Sequence, residues 1–373
     1  VKTETADNDA VLVEQRGSLG VLTLNMPKAL NALNLDMIER LQQQLDSWRR
    51  DDSVQAIWLQ GAGDRAFCAG GDIRKLYESM TETPEGQIPE YALDFFTREY
   101  LLDYTIHTYP KSVIAWGDGI VMGGGIGVMG GASHRVVTER SMLAMPEVSI
   151  GLYPDVGASW FFNRMPGQSG LFLGMTGARM NGADALFVKL ADRFVTSDRQ
   201  DAILTELAAQ PELDHRAVSA IVRAHARARA DLVPESPLRT HFDRINALLD
   251  ADSVPAMVEN LRPLARSDKP QDKWLSRAVK GVLGGCPVTP YLVDEQIRRA
   301  RHGSLADAFR QELIMSTRCA MHPDLEEGIR ALLIDKDGQP RWRFKDVAEV
   351  PAEYVAEHFQ PPWQGPHPLS ELE

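Results

Sequence analysis

The chain has 373 residues, 44% hydrophobic and 25% charged, with a formal net charge of −12. That length exceeds one typical domain, and the polar balance is that of an ordinary globular enzyme. The acidic excess argues against nucleic acid as a main partner but leaves room for a local basic pocket that holds a phosphorylated small molecule.

Val11–Arg16, a Gly17-Ser18 turn and Gly20–Leu24 read as a β-hairpin. Asn34 is placed to cap a helix from Leu35 to about Arg50, whose Ile38, Leu41, Leu45 and Trp48 fall on one face. A strand over Val54–Gln60 runs into a first glycine loop. A polar insertion, Thr81–Pro89, then leads to a helix from about Glu90 to Thr108. The strand Ser112–Trp116 enters a second glycine loop and a small-residue helix, Gly123–Met129. Strands near Arg135–Thr138 and Ser141–Ala144 follow. From about Asp198 helical patterns take over, at 202–209, 215–230, 238–249, 254–265, 271–283, 289–301 and 304–316. We therefore expect an α/β core over residues 1–197 and a helical C-terminal region over 198–373. The arginines between Arg223 and Arg229 fit a solvated helix face, not a nucleic-acid site, because no aromatic residues alternate with them.

Three runs concentrate the chemistry. Ala66-Phe67-Cys68-Ala69-Gly70-Gly71-Asp72 and Gly117-Asp118-Gly119-Ile120-Val121-Met122-Gly123-Gly124-Gly125 each follow an apolar strand and precede a helix. Glycine permits the unusual dihedrals that bring bare N–H groups up to a ligand, and a helix start adds free donors. One N–H from each loop can converge on a carbonyl oxygen as it becomes an oxyanion. The third run, Met145–Gly157, places Glu147 directly after Pro146 and Asp155 in a second Pro-led turn. Two carboxylates beside one apolar pocket split their pKa values, one serving as base and the other as acid or hydrogen-bonding group. Asp72 suits an N-cap role. Cys68 suits a small buried apolar residue better than a nucleophile, since no paired His accompanies it. The three cysteines are too scattered for a disulfide framework, no metal site is expected, and no apolar run is long enough to span a membrane. Val1–Ala10 is polar and acidic, resembling neither a secretory signal nor an Arg-rich transit peptide. A leader removed before Val1 remains open.

With these runs in this order, and with Pro27–Leu33 and the late block His322–Lys336, the chain resembles the enoyl-CoA hydratase/isomerase (crotonase) superfamily over nearly its whole length. Within it the similarity is greatest to the hydrolase branch that cleaves 3-hydroxyisobutyryl-CoA in valine breakdown. The resemblance implies a crotonase-like ββα spiral core with a C-terminal helical region. It also implies a small-molecule acyl-CoA substrate and no separate cofactor, CoA being part of the substrate. It makes Gly71 and Gly124 the oxyanion donors, Glu147 the main catalytic carboxylate and Asp155 the second. Glu147 acts as general base or as nucleophile. Glu99 matches a substrate-contact position, the alternative being a solvated helix glutamate. The Ala69 carbonyl suits the adenine amino group. Lys28 faces a CoA phosphate or is a solvated lysine, and Lys336 resembles a helper at the CoA mouth. One departure is informative: hydratases carry a second glutamate two residues after the triple-glycine run, and this chain has Gly127 there. Hydratase or isomerase chemistry on the same scaffold, or a non-catalytic assembly subunit, are the alternatives. A homo-oligomer is compatible with the sequence, with a cytoplasmic location for a bacterial chain and the mitochondrial matrix for a eukaryotic one.

Overall fold

The computed structural model describes residues 9–373. The start of the polar N-terminal stretch, residues 1–8, lies outside the described residues. The chain forms two compact units, each discontinuous in sequence. One comprises Val1–Gly71, Leu101–Leu143 and Met180–Ser236; the other comprises Asp72–Tyr100, Ala144–Arg179 and Pro237–Glu373.

The first unit is built on a six-stranded sheet of order β1-β2-β3-β5-β7-β9. β1 (Val11–Arg16) and β2 (Leu19–Leu24) form the expected antiparallel hairpin, with Val13 opposite Leu22. β3 (Ala56–Gly61), β5 (Ser112–Gly117), β7 (His134–Val137) and β9 (Arg193–Phe194) continue it in parallel. A parallel sheet is covered on both faces, so its strands read as near-continuous apolar runs. Trp58 and Trp116 stack across β3 and β5 with ring centroids 5.5 Å apart. They share a core with Ile203, Leu204, Leu207, Val218, Ile221 and Val222. The last six recur at three- and four-residue steps on helices Gln200–Ala208 and His215–Arg227, so these helices lie on the sheet.

Three short strands form a second sheet of order β4-β6-β8: β4 (Ala66–Cys68) and β6 (Ile120–Met122), which the sequence pattern did not separate, and β8 (Met142–Ala144), expected near Ser141–Ala144. Chain order thus alternates between sheets, β3 then β4, β5 then β6, β7 then β8, a repeated ββ turn. The glycine loops are entered from β4 and β6, and not directly from the long strands.

Helix Leu35–Arg49 forms as expected: the Asn34 side chain accepts the Met37 N–H at 2.8 Å, and Ile38, Leu41, Leu45 and Trp48 are buried. Asp72 caps helix Ile73–Glu82 by accepting the Arg74 N–H. Among the described residues no strand follows Phe194, so the change to helix near residue 198 is real. The compact units nevertheless do not follow a cut at 197/198. Helices 200–208 and 215–227 belong with the sheet, and Asp72–Tyr100 and Ala144–Arg179 belong with the later helices. Helix Ser169–Thr176, also not anticipated, is buried at every residue within the second unit. A helix apolar all round lacks the periodic signal that marks an amphipathic one.

Candidate active site

In the first unit, two glycine turns meet. Gly70 has φ +106° and Gly123 φ +49°, conformations that strain any residue with a Cβ. A Cβ on Gly70 would lie 3.3 Å from the Met122 carbonyl oxygen and 3.8 Å from the Gly124 nitrogen, so the two backbones are in contact. Gly124 opens helix Gly124–Gly130, and a first-turn N–H has no intrahelical acceptor. A Cβ on Gly125 would sit 2.3 Å from the Cys68 carbonyl oxygen, so only glycine lets this helix start rest on β4. The segment bearing Lys28 is tied to the same corner. The Ala69 N–H donates to the Leu30 carbonyl at 3.0 Å, and the Leu33 N–H to the Gly70 carbonyl at 2.8 Å. The buried Asn31 side chain, which sequence reasoning passed over, locks that segment by donating to the Ala62 and Ala66 carbonyls. Lys28 itself is exposed and Ala69 half-buried. Cys68 is fully buried, as a small apolar residue would be.

In the second unit, three carboxyls are buried together. Glu147 begins the short helix Glu147–Ser149 and is 5% exposed; Asp155 is 4% and Glu99 3% exposed. The solvated alternative for Glu99 is thereby excluded. Burial pushes Glu147 well above the ordinary carboxylate range, with the charges of Asp155 and Glu99 adding to it. Glu99 is raised by the same burial and by Asp155. Asp155 is raised to about 6 by burial, against which the Tyr100 hydrogen bond works. Removing a carboxylate from water and crowding it with like charge both favour the neutral acid. The Oε2 atom of Glu147 is buried with no hydrogen-bond partner among the described residues, whereas a merely structural carboxyl is ordinarily satisfied. Lys336 lies on an exposed left-handed turn (φ +57°) after the π-helical segment Arg330–Ile334.

Four residues around Asp155 were missed by sequence reasoning. The Tyr100 hydroxyl donates to Asp155 Oδ2 at 2.6 Å, its ring held between Phe96 and Phe309. Glu312, Ser316 and Tyr153 back the same loop, and each is fully buried. Glu312 accepts the Gly157 N–H at 2.7 Å and the Ser159 N–H at 2.8 Å, fixing the turn that follows Asp155. That turn needs fixing, since Val156 (φ +52°) and Gly157 (φ +92°) are consecutive left-handed residues and a β-branched residue there is strained. The available signal was Glu312 and Ser316, four apart on the otherwise apolar face of helix Leu305–Met321.

Chain-wide comparison places this geometry in a known family. The enoyl-CoA hydratase/isomerase family pattern matches residues 19–359. The chain belongs to the enoyl-CoA hydratase/isomerase family. It is 36% identical to the mitochondrial 3-hydroxyisobutyryl-CoA hydrolase of Rattus norvegicus, over 96% of this chain and 90% of that protein. It is 37% identical to the Danio rerio protein of the same name, over 94% and 89%. Among solved structures it is similar to a carnitinyl-CoA dehydratase from Mycobacterium thermoresistibile, with a TM-score of 0.84 and 37% identity over 95% of this chain and 97% of that one. It is also similar to an enoyl-CoA hydratase from Rhodobacter sphaeroides, with a TM-score of 0.81 and 33% identity over 94% and 97%. The fold is therefore that of the crotonases, a mixed α/β architecture in which the ββ turns described above recur. Among the described residues no helix is long and apolar enough to cross a membrane, and no group of three or more His, Cys, Asp or Glu is placed to hold a metal.

Proposed function

We propose that the chain hydrolyses the thioester of a short-chain 3-hydroxyacyl-CoA, 3-hydroxyisobutyryl-CoA being the preferred substrate, to 3-hydroxyisobutyrate and CoA. The carrying observation is the buried trio Glu99, Glu147 and Asp155, with Gly127 standing where a hydratase has its second carboxylate. Hydration across a double bond needs two carboxylates to deliver water. Hydrolysis needs one base or nucleophile and a stabilised oxyanion.

In this scheme the Gly71 and Gly124 N–H groups polarise the thioester carbonyl. Glu147, whose buried Oε2 has no competing donor, either draws a proton from the attacking water or adds to the carbonyl carbon. In the second route it expels the CoA thiolate to leave an acyl anhydride, which water then opens. Asp155 engages the 3-hydroxyl and Glu99 lines the acyl site. Lys28 and Lys336 meet CoA phosphates, and the Ala69 carbonyl accepts from the adenine amino group. CoA enters and leaves as part of substrate and product, so the scheme calls for no separate cofactor.

The dehydratase and hydratase titles of the similar solved structures support lyase chemistry as the second reading. Free thiol released from 3-hydroxyisobutyryl-CoA, set against hydration of crotonyl-CoA, separates the two. The mitochondrial names of the animal relatives support a mitochondrial location for a eukaryotic chain.

A further inference from the structure

The Asp155 carboxyl ends a chain of buried hydroxyls. The Tyr100 hydroxyl oxygen lies 2.6 Å from Asp155 Oδ2 and 2.6 Å from Ser316 Oγ. Ser316 Oγ lies 2.9 Å from the Tyr153 hydroxyl oxygen, and Tyr153 donates to the Glu312 backbone carbonyl at 2.7 Å. Tyr100, Ser316 and Tyr153 are fully buried.

These are four oxygen–oxygen contacts, and each needs one proton. The three hydroxyls bring three protons, and the terminal carbonyl brings none. With Asp155 ionised, one contact is left as two lone pairs face to face in a buried site, which is costly. A single further proton on Asp155 fills all four in one direction. Asp155 donates to Tyr100, Tyr100 to Ser316, Ser316 to Tyr153, and Tyr153 to the Glu312 carbonyl.

We propose that the relay Tyr100–Ser316–Tyr153 holds a proton on Asp155 well beyond the ordinary aspartate range, so that in mildly acidic solution Asp155 meets the substrate as a neutral acid. The three hydroxyl residues are then positioning residues, and helix Leu305–Met321 is part of the reaction machinery through Ser316. The groups that face Asp155 are Glu99 and Tyr100 from helix Glu90–His107, Glu147 and Tyr153 from the segments before it, and Glu312 and Cys319 from helix Leu305–Met321. None of the six is a cation. The rise of Asp155 to about 6 on burial has the same sign as the relay effect. A neutral Asp155 also lifts one repelling charge from Glu147, which is then freer to ionise and act as base. The role toward substrate rests on the hydrolase proposal; the proton itself does not.

The relay makes neighbouring hydroxyls act with opposite sign. Ser316→Ala removes the middle contacts, and Tyr100 then satisfies ionised and neutral Asp155 alike, so the Asp155 titration moves down. Tyr153→Phe also frees the ionised form from an unfilled contact and has the same sign. Tyr100→Phe removes the donor that stabilises the ionised form, so the titration moves up. A general loosening of the site would not split in this way.

The test is infrared titration of the full chain without substrate, with the Asp155 acid C=O stretch identified by its loss in Asp155→Asn. The expected wild-type midpoint lies above about pH 5.5, far from the ordinary aspartate value. Shifts of about one unit are expected, downward for Ser316→Ala and Tyr153→Phe and upward for Tyr100→Phe. Should Ser316→Ala not fold, Tyr153→Phe carries the downward arm. A wild-type midpoint at or below about 5.5, or no downward shift in either variant, overturns the relay. Thiol release measured on the same preparations keeps the two proposals apart. An active hydrolase without the acid band refutes the relay alone, and an intact band without hydrolysis refutes the functional proposal alone.

Discussion

A carboxyl stripped of water and crowded by like charge binds a proton tightly, and Glu147, whose buried Oε2 has no hydrogen-bond partner among the described residues, is in that state. Glu147→Gln keeps size and one acceptor but can neither take a proton nor attack a carbonyl. Thioester hydrolysis should be nearly abolished in kcat with KM held within a few-fold, and steady-state kinetics decide it. Turnover near wild type would remove Glu147 from the centre of the scheme. For Asp155 the substrate hydroxyl is the lever. A site that pairs a hydroxyl should disfavour the analogue lacking it by about tenfold or more. Asp155→Asn should narrow that gap, measured as kcat/KM for 3-hydroxyisobutyryl-CoA against isobutyryl-CoA. Equal slowing of both substrates would instead put Asp155 in the common step.

Asp155 also carries a stability signature. Its folded pKa, about 6, lies above the unfolded aspartate value, so the folded chain binds the extra proton between about pH 4 and 6. Stability therefore falls as pH rises through that window, by about 3 kcal/mol at most from this group. Asp155→Asn should raise Tm relative to wild type at pH 8 and not at pH 4, as thermal melts at the two values will show. At this scale the family resemblance of the Met145–Gly157 run pointed to Glu147 and Asp155, where a Pro-led turn alone would equally suit a solvated carboxylate. The sequence could not announce Tyr100, Ser316 and Tyr153, whose hydroxyls matter because distant segments converge on one carboxyl.

At the scale of the element, the glycine turns depend on backbone that no side chain can replace. Gly124→Pro deletes the donor proposed for the oxyanion. Losing one such donor costs on the order of 3 kcal/mol of transition-state stabilisation, so kcat should fall about a hundredfold or more in protein whose melting temperature shows it folded. Gly125→Ala acts by packing instead. Its Cβ would meet the Cys68 carbonyl oxygen at 2.3 Å, so it should lower Tm by pushing helix Gly124–Gly130 off β4. Amphipathic elements such as helix Leu35–Arg49 were legible because their apolar residues recur on one face and Asn34 marks the start. The strands β4 and β6 were not, because three residues are too few to show alternation and both lie inside motifs that read as loops. Helix Ser169–Thr176 was hidden for the opposite reason, being buried all round.

Across the whole molecule, class and family were legible from motif order, while the arrangement of compact units was not. Each unit gathers separated stretches of chain, and a composition change at residue 198 marks where strands stop, not where the units part. The central claim is that this family member breaks a thioester and does not hydrate a double bond. Its most direct test is release of free CoA thiol by the purified chain from 3-hydroxyisobutyryl-CoA, run beside loss of the double bond of crotonyl-CoA. Rapid thiol release from the hydroxyacyl thioester, with crotonyl-CoA left unhydrated, is the expected result. Hydration of crotonyl-CoA with no thiol released from either ester would contradict it.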